Sequence, residues 1–133
     1  MIYVYNTHEE DHTDKGDNNF YIGRSKKGNP LSNPFTFGGK RKSLAKLSFP
    51  TREEAIAAFE QYFDAVYGTD EELTNAFDKI YEKYKNGEDI YLQCFCKPNP
   101  CHGDVIARKL QEKLIKEKLE ARKNKKENEQ PNK

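Results

Sequence analysis

Hydrophobic positions along the chain repeat in two ways, every second residue as in strands and every three to four residues as in helices. Short β-branched and aromatic runs predict strands at residues 1–5 and 20–22, and an apolar run predicts a buried strand at residues 89–95. The segment 8–19 is polar and acidic, and the segment 23–39 is rich in Gly, Pro, Asn and Ser. Both of these segments are predicted to be loops.

Helical spacing predicts two helices in the middle of the chain, one over residues 51–67 and a second that ends at an Asn-Gly pair, residues 86–87. The apolar residues of each fall on one face, which is typical of helices that pack against a core. Each helix begins with a capping box, in which a threonine is followed three residues later by a glutamate: Thr51 with Glu54, and Thr69 with Glu72.

A long third helix is predicted from Cys101 onward. The element order β, β, α, α, β, α predicts an α/β fold, a small single-domain sheet flanked by helices with a long C-terminal helix. We expect one domain over residues 1–123 and a basic, disordered tail over residues 124–133, where the apolar stripe has stopped. The stripe of the third helix that is expected to face inward consists of Ile106, Leu110, Leu114 and Leu119.

The net charge of +1 conceals an asymmetry between the body of the chain and its C-terminal end. From residue 108 onward there are ten Lys/Arg and five Asp/Glu, against thirteen and seventeen in the rest of the chain. A basic tail can touch nucleic acid, but such a mixed run is more typical of a solvated helix face, so we expect no nucleic-acid partner. No apolar segment has the length of a membrane span, which predicts a cytoplasmic protein without a membrane partner.

All three cysteines, Cys94, Cys96 and Cys101, lie close together, and His102 follows directly. An odd number of cysteines in a chain without a secretion signal indicates reduced thiols rather than a disulfide framework. Three sulfurs and an imidazole also suit zinc, but the spacing is not that of a zinc finger, and adjacent ligands do not easily turn toward one ion. We expect no metal and no cofactor there, nor in the His- and acid-rich loop 8–12.

The start of the third helix is a candidate anion site. Asn99 and Pro100 have the pattern of an N-cap followed by proline at the first helical position. The backbone N–H groups of Cys101, His102 and Gly103 would then point outward and favour a phosphate or carboxylate. A glycine at position 103 would also allow the close approach of a ligand.

The same residues allow a catalytic interpretation. The helix dipole would lower the pKa of the Cys101 thiol, which makes it a candidate nucleophile with His102 or Asp104 as its partner. Alternatively, the cysteines pack in the core, and His102 donates hydrogen bonds to a loop or a ligand. The sequence leaves both interpretations open.

A second candidate for anion binding lies at the end of the second predicted strand. Gly23 permits close backbone approach, and Arg24 directly after it offers a planar guanidinium to a phosphate or carboxylate. Asn33, which is followed by a proline, sets a rigid turn before Phe35. Pairing of Arg24 with a structural acid is the alternative.

Three segments together carry a resemblance to a known family. Tyr-Ile-Gly-Arg at 21–24, Pro-Leu-Ser-Asn-Pro-Phe at 30–35, and the cysteine run with Cys-His-Gly-Asp-Val at 94–105 resemble the domain of unknown function numbered 4326, found in phages and bacteria. The resemblance covers residue 1 to about residue 110. The Cys-His helix start is also similar to that of the domain of unknown function numbered 488. Both resemblances imply a site at the strand-loop-helix junction, and neither implies a reaction.

We therefore expect a protein that binds a nucleotide-derived, phosphate-bearing small molecule, with homo-oligomerisation left open. The phage association implied by the resemblance suggests one version, an anti-defence protein that sequesters a nucleotide signal of bacterial immunity. The alternative is an enzyme of nucleotide or nucleoside metabolism, such as an N-glycosidase, transferase or hydrolase. The expected ligand-binding residues are Gly23, Arg24, Asn33, Phe35, Cys94, Cys96, Cys101, His102, Gly103 and Asp104.

Overall fold

The computed structural model describes residues 1–6, 13–24, 28–37, 47–94 and 99–129. A short 3-10 helix, Thr13–Asn18, precedes the second strand. The strands are β1 (Ile2–Asn6), β2 (Asn19–Tyr21), β3 (Phe35–Phe37), β4 (Leu47–Phe49) and β5 (Ile90–Cys94). The helices are α1 (Arg52–Val66), α2 (Glu71–Lys85) and α3 (His102–Glu129). The predicted α/β single-domain fold with a long C-terminal helix is confirmed.

The main sheet has three strands in the order β1-β5-β2, and all of them are parallel. Its strands are the three that the hydrophobic pattern predicts. A second sheet pairs β3 with β4 in parallel and lies partly within the segment 23–39, which the sequence analysis describes as a loop. That description is wrong for residues 35–37. Strands of three residues are too short for the alternation of apolar and polar positions to identify them.

The starts of α1 and α2 differ in how well the sequence predicts them. Thr51 caps α1 as predicted, since its hydroxyl accepts from the Glu54 N–H at 3.2 Å. The capping box predicted at Thr69 is wrong, because α2 is capped by Asp70, whose carboxylate accepts from the Leu73 N–H at 3.0 Å. Adjacent Thr and Asp are both good N-caps, so spacing alone does not choose between them. The helix ends as predicted, with Asn86 as its C-cap.

The two faces of the main sheet have different surroundings. One face carries Ile90, Leu92 and Cys94 of β5, all buried in a single core with residues of the three helices. The other face carries Tyr3 and Tyr91, whose rings stack with centroids 4.9 Å apart. The 3-10 helix packs against β2 and β5, with its Lys15 ammonium 5.7 Å from the centre of the Tyr91 ring.

The long helix α3 is buried only along its first half. Ile106 and Leu110 are fully buried and Leu114 packs against the core, as predicted. The prediction that Leu119 faces inward is wrong, because this side chain is 57% exposed. At about 100° per residue, position 119 lies roughly 220° around the helix from position 106, so the two residues cannot share a face.

The C-terminal end of α3 enters the segment that the sequence analysis separates from the domain. The helix continues to Glu129, past the predicted boundary at residue 123, and the division into 1–123 and 124–133 stays a prediction. Within the described ranges, no helix is long and apolar enough to cross a membrane.

Candidate functional site

The carboxyl ends of β1, β5 and β2 lie at one edge of the main sheet, because the three strands are parallel. The loop that leaves β2 and the first turn of α3 both begin at this edge. In open α/β sheets this is the edge at which ligands bind. The structure thus brings together the two groups of residues that the sequence analysis singles out.

The first turn of α3 is capped by its own side chains. The Cys101 Sγ accepts from the Gly103 N–H at 3.4 Å, and the Asp104 carboxylate accepts from the Cys101 N–H at 3.1 Å. Two of the three amides expected to be free are therefore occupied, and the prediction of Asn99 as the N-cap is wrong, since the helix begins at His102. The Asp104 carboxylate occupies the position expected for a bound anion. This helix start is therefore a poor binding site for an external anion.

Gly103 serves packing rather than ligand approach. The residue is buried, and a Cβ atom built on it would lie 2.7 Å from Ile22 Cδ1 and 2.8 Å from Val4 Cγ1. Both distances are far below van der Waals contact. Glycine therefore allows the start of α3 to lie directly on β1 and on the end of β2.

His102 connects α3 to the loop that follows β2. Its Nε2 lies 2.8 Å from the Ile22 carbonyl oxygen and 3.1 Å from the Leu31 carbonyl oxygen. Because both partners only accept, Nε2 carries the proton and donates to them. Burial lowers the pKa of His102, against the smaller opposing effect of these carbonyls, so the imidazole is neutral.

The cysteines are interior residues where the structure describes them. Cys94 and Cys101 are reduced thiols, each 1% exposed, and Cys101 Sγ lies 3.6 Å from His102 Nδ1. The interpretation in which cysteines pack and His102 donates to a loop is confirmed for these three residues. A nucleophilic Cys101 would not reach a substrate without opening of the helix start. Cys96 lies outside the described residues.

The cysteine cluster and the loop 8–12 carry side chains of the types that bind metals. Among the residues that the structure describes, no group of three or more His, Cys, Asp or Glu side chains could hold a metal ion. The loop 8–12 is outside the described ranges.

The loop after β2 is held by two asparagines. The Asn29 amide donates to the Tyr21 and Gly23 carbonyls at 2.8 and 2.9 Å. Asn33 is buried, donates to the Ala55 carbonyl of α1 at 3.2 Å, and accepts from the Phe35 N–H at 2.9 Å. Asn33 is thus a structural anchor, and the sequence analysis did not identify Asn29, although asparagine before proline is a turn signal.

Arg24 is the predicted ligand residue that has donors without a partner in the described part of the chain. Its Nη1 donates to the Asn33 carbonyl at 2.8 Å and to the Phe35 carbonyl at 3.2 Å. Among the residues that the structure describes, none bonds to its Nη2 or Nε, and no carboxylate lies within ion-pair distance. The alternative of a structural acid as its partner is thus not supported there. The loop fixes one edge of the guanidinium, and the other edge has no partner among the described residues.

The ring of Tyr21 lies over the backbone of Gly23. The Tyr21 hydroxyl donates to the Arg24 carbonyl at 3.0 Å, and a Cβ atom on Gly23 would collide with the ring. Burial raises the pKa of Tyr21, which the nearby Arg24 charge partly offsets, and the residue is still 36% exposed. Because Gly23 has no side chain, the Tyr21 ring can lie over the backbone here, beside the Arg24 guanidinium.

A polar row continues from Tyr21 across the sheet, and the sequence analysis did not identify it. Tyr21 and Tyr5 both pair with Gln93 in the strand register. The Asn19 amide donates to Gln93 Oε1 at 2.9 Å, and the Tyr5 hydroxyl donates to Asn19 Oδ1. Alternation of side chains along a strand would place these residues on one face, but the partners depend on the strand order, which the sequence does not specify.

The accessible part of the edge is smaller than the expected ligand set. Gly23, Arg24 and Phe35 are partly exposed and Asp104 is exposed. The remaining described members are buried: Asn33, Cys94, Cys101, His102 and Gly103.

Comparison with known proteins identifies a family and no function. A family model described as a domain of unknown function (DUF4326) matches residues 5–112. No curated protein and no solved structure matches the chain.

Proposed function

The chain belongs to the DUF4326 family, and from the geometry of its strand edge we propose that it binds a nucleotide-derived, phosphate-bearing small molecule. The single observation that carries the proposal is Arg24, which two loop carbonyls hold in place while its remaining donors and charge have no described partner. A guanidinium fixed in this way matches phosphate geometry with little loss of side-chain entropy on binding.

We assign to Tyr21 the binding of the aromatic base of the ligand. Its ring is backed by Gly23 and its hydroxyl is fixed by the Arg24 carbonyl, so ring and guanidinium have a set relative position. A planar base stacks on such a ring, as it does on tyrosines of other nucleotide sites. Gln93 lies beside Tyr21 in the next strand; its Oε1 accepts from Asn19, and we assign its amide N–H group to an edge of the base.

In one version of the proposal, the protein acts in the cytoplasm of a bacterium and sequesters a nucleotide signal of the immune response. The reduced thiols of Cys94 and Cys101 suit a reducing compartment. Sequestration requires tight binding without conversion, which agrees with a site whose candidate nucleophile is buried. The link to immunity rests on the family's occurrence in phages, which is an argument by analogy.

The test is calorimetric titration of the full chain with pyrophosphate, adenosine, cyclic nucleotides and ADP-ribose derivatives. Arg24→Ala is expected to weaken phosphate-bearing ligands by about 1.5 to 3 kcal/mol, the scale of hydrogen bonds to a charged group. Arg122→Ala removes an exposed arginine far along α3 and is the matched control. Tyr21→Ala is expected to weaken nucleotides more than pyrophosphate.

Each outcome separates the alternatives, provided that thermal melting shows every variant to be folded. Equal affinity in wild type and Arg24→Ala, or no binding across the ligand panel, overturns the proposal. Recovery of unaltered ligand after denaturation supports a binding protein. Recovery of a converted product instead supports an enzyme of nucleotide metabolism.

A further inference from the structure

The second half of α3 exposes an apolar face that the binding site does not use. Ile115 is 58% exposed and Leu119 is 57% exposed, one helical turn apart. They line a shallow groove of about 360 Å³ together with four charged residues: Glu112, Lys116, Glu120 and Lys123. Two neighbouring exposed aliphatic side chains on a polar helix mark a candidate interaction surface, because a partner that covers them removes apolar area from water.

The charges around this groove form an ordered pattern. Along the helix they alternate as Glu112, Lys116, Glu120 and Lys123, so the N-terminal end of the groove is acidic and its C-terminal end is basic. Glu112 lies 3.9 Å from Lys109. The other three make no ion pair with any residue that the structure describes.

We propose that this face binds a second copy of the same chain, with the two α3 helices antiparallel about a two-fold axis near residue 117. In that arrangement Ile115 of one copy packs near Leu119 of the other. Glu112 at the acidic end meets Lys123 at the basic end of the partner copy, and the symmetry repeats this contact. The pattern is self-complementary, as a two-fold interface requires.

The same charges favour an antiparallel over a parallel orientation of the two helices. A parallel pair would place Glu112 beside its own copy and Lys123 beside its own copy, and both contacts are repulsive. Antiparallel packing also aligns the helix dipoles favourably. The face therefore selects one orientation as well as one partner.

The interface is small, so the dimer is weak. Contact is confined to about three turns of each helix and two aliphatic side chains per copy, which falls below the roughly 800 Å² per partner of a standard interface. We expect a dissociation constant on the order of 10 to 100 µM. The full chain should be monomeric when dilute and dimeric at several hundred micromolar.

Sedimentation equilibrium of the full chain from about 5 to 500 µM tests this directly. Leu119→Glu should raise the dissociation constant at least about tenfold, the scale of one buried leucine. Ala121→Glu, an exposed position on the opposite side of α3, is the matched control and should leave association unchanged. A chain that stays monomeric throughout, or equal association in Leu119→Glu, overturns the proposal.

A charge exchange tests the orientation. Glu112→Lys alone should weaken the dimer, because it creates two repulsive contacts with Lys123. The double variant Glu112→Lys with Lys123→Glu should restore the wild-type constant, because each pair is re-formed with its signs exchanged. Failure of the double variant to recover association would overturn the antiparallel arrangement. These substitutions lie outside the strand-edge site, so their outcome is independent of ligand binding.

Discussion

At the N-terminal end of α3, Cys101, His102 and Gly103 lie inside the protein, whereas about four turns later Ile115 and Leu119 are exposed. The reactive residue types are the hidden ones, and aliphatic residues form the open surface. The cause is position relative to the core, since the residues of α3 that pack in the core, up to Leu114, lie in its first half. Residue chemistry thus indicates what a side chain can do, and the packing of its element decides whether a partner can reach it.

The buried end of α3 has a consequence for the site. His102 holds the Ile22 and Leu31 carbonyls, and the loop between them carries Arg24. Arg24 in turn holds the Asn33 and Phe35 carbonyls. The Cys-His helix start therefore fixes the loop from which the guanidinium projects, and under the proposed function its effect on a ligand is indirect.

The largest expected effect is that of His102→Ala. The substitution leaves two buried carbonyls without their donor and opens a cavity, so we expect a loss of about 2 to 4 kcal/mol in the free energy of unfolding. His102→Gln is the control, because its amide can still donate to the carbonyls, and it should retain the larger part of the stability. Urea unfolding measures both. A loss below about 0.5 kcal/mol in His102→Ala would show that the contact is not structural.

Gly103→Ala should destabilise by about 1 to 3 kcal/mol, the usual cost of overpacking. Replacing glycine by alanine in a helix otherwise stabilises by about 0.5 to 1 kcal/mol, so the sign of the effect is diagnostic. The cause is the short distance from the added methyl group to Ile22 and Val4. Lys118→Ala, on the exposed half of α3 and outside the groove, should change stability by less than about 0.5 kcal/mol. A stabilised Gly103→Ala would mean that α3 stands further from the sheet.

The sequence predicts the elements better than the contacts between them. The three long helices and the strands of the main sheet follow from periodicity, because each buries one face against a common core. The location of the site also follows, since a strand-loop-helix junction is visible in residue order. Which of these side chains a ligand can reach does not follow from the sequence. Cys101 and His102 have the same residue types whether they face a ligand or a loop, and only the sheet order places Ile22 and Leu31 next to them.

Stability should fall as the pH drops below about 6.5, and His102 should be responsible for part of the fall. Its folded-state pKa lies below the ordinary value of 6.5 because of burial. Between these two pKa values the unfolded chain binds the extra proton, so the stabilising effect is complete above pH 6.5 and is lost on acidification until the folded pKa is passed. The slope cannot exceed about 1.4 kcal/mol per pH unit for one proton.

The difference in unfolding free energy between wild type and His102→Gln isolates the contribution of His102 to this pH dependence. Urea unfolding of wild type and His102→Gln between pH 7.5 and 5.5 should give curves that converge as the pH falls, because glutamine does not titrate. Curves that stay parallel would show that His102 accepts a proton equally well in the folded and unfolded states. The window lies above the range in which Glu60 and Glu117, whose pKa values are lowered by hydrogen bonds to Arg108 and Tyr81, lose their charge.

The smallest effect is expected at the far end of α3, on removal of residues 124–133. Every residue from 118 to 123 is exposed, so the helix has already left the core before the deleted segment begins. A chain that ends at Lys123 keeps all six residues of the groove and should therefore dimerise like the full chain. Its melting temperature, measured at low micromolar concentration where the monomer dominates, should stay within about 2 °C of the wild-type value. A fall of more than about 5 °C, on the order of 1 kcal/mol for a domain of this size, would mean that the end of the helix contacts the body and that the two halves of α3 differ less than their exposure indicates.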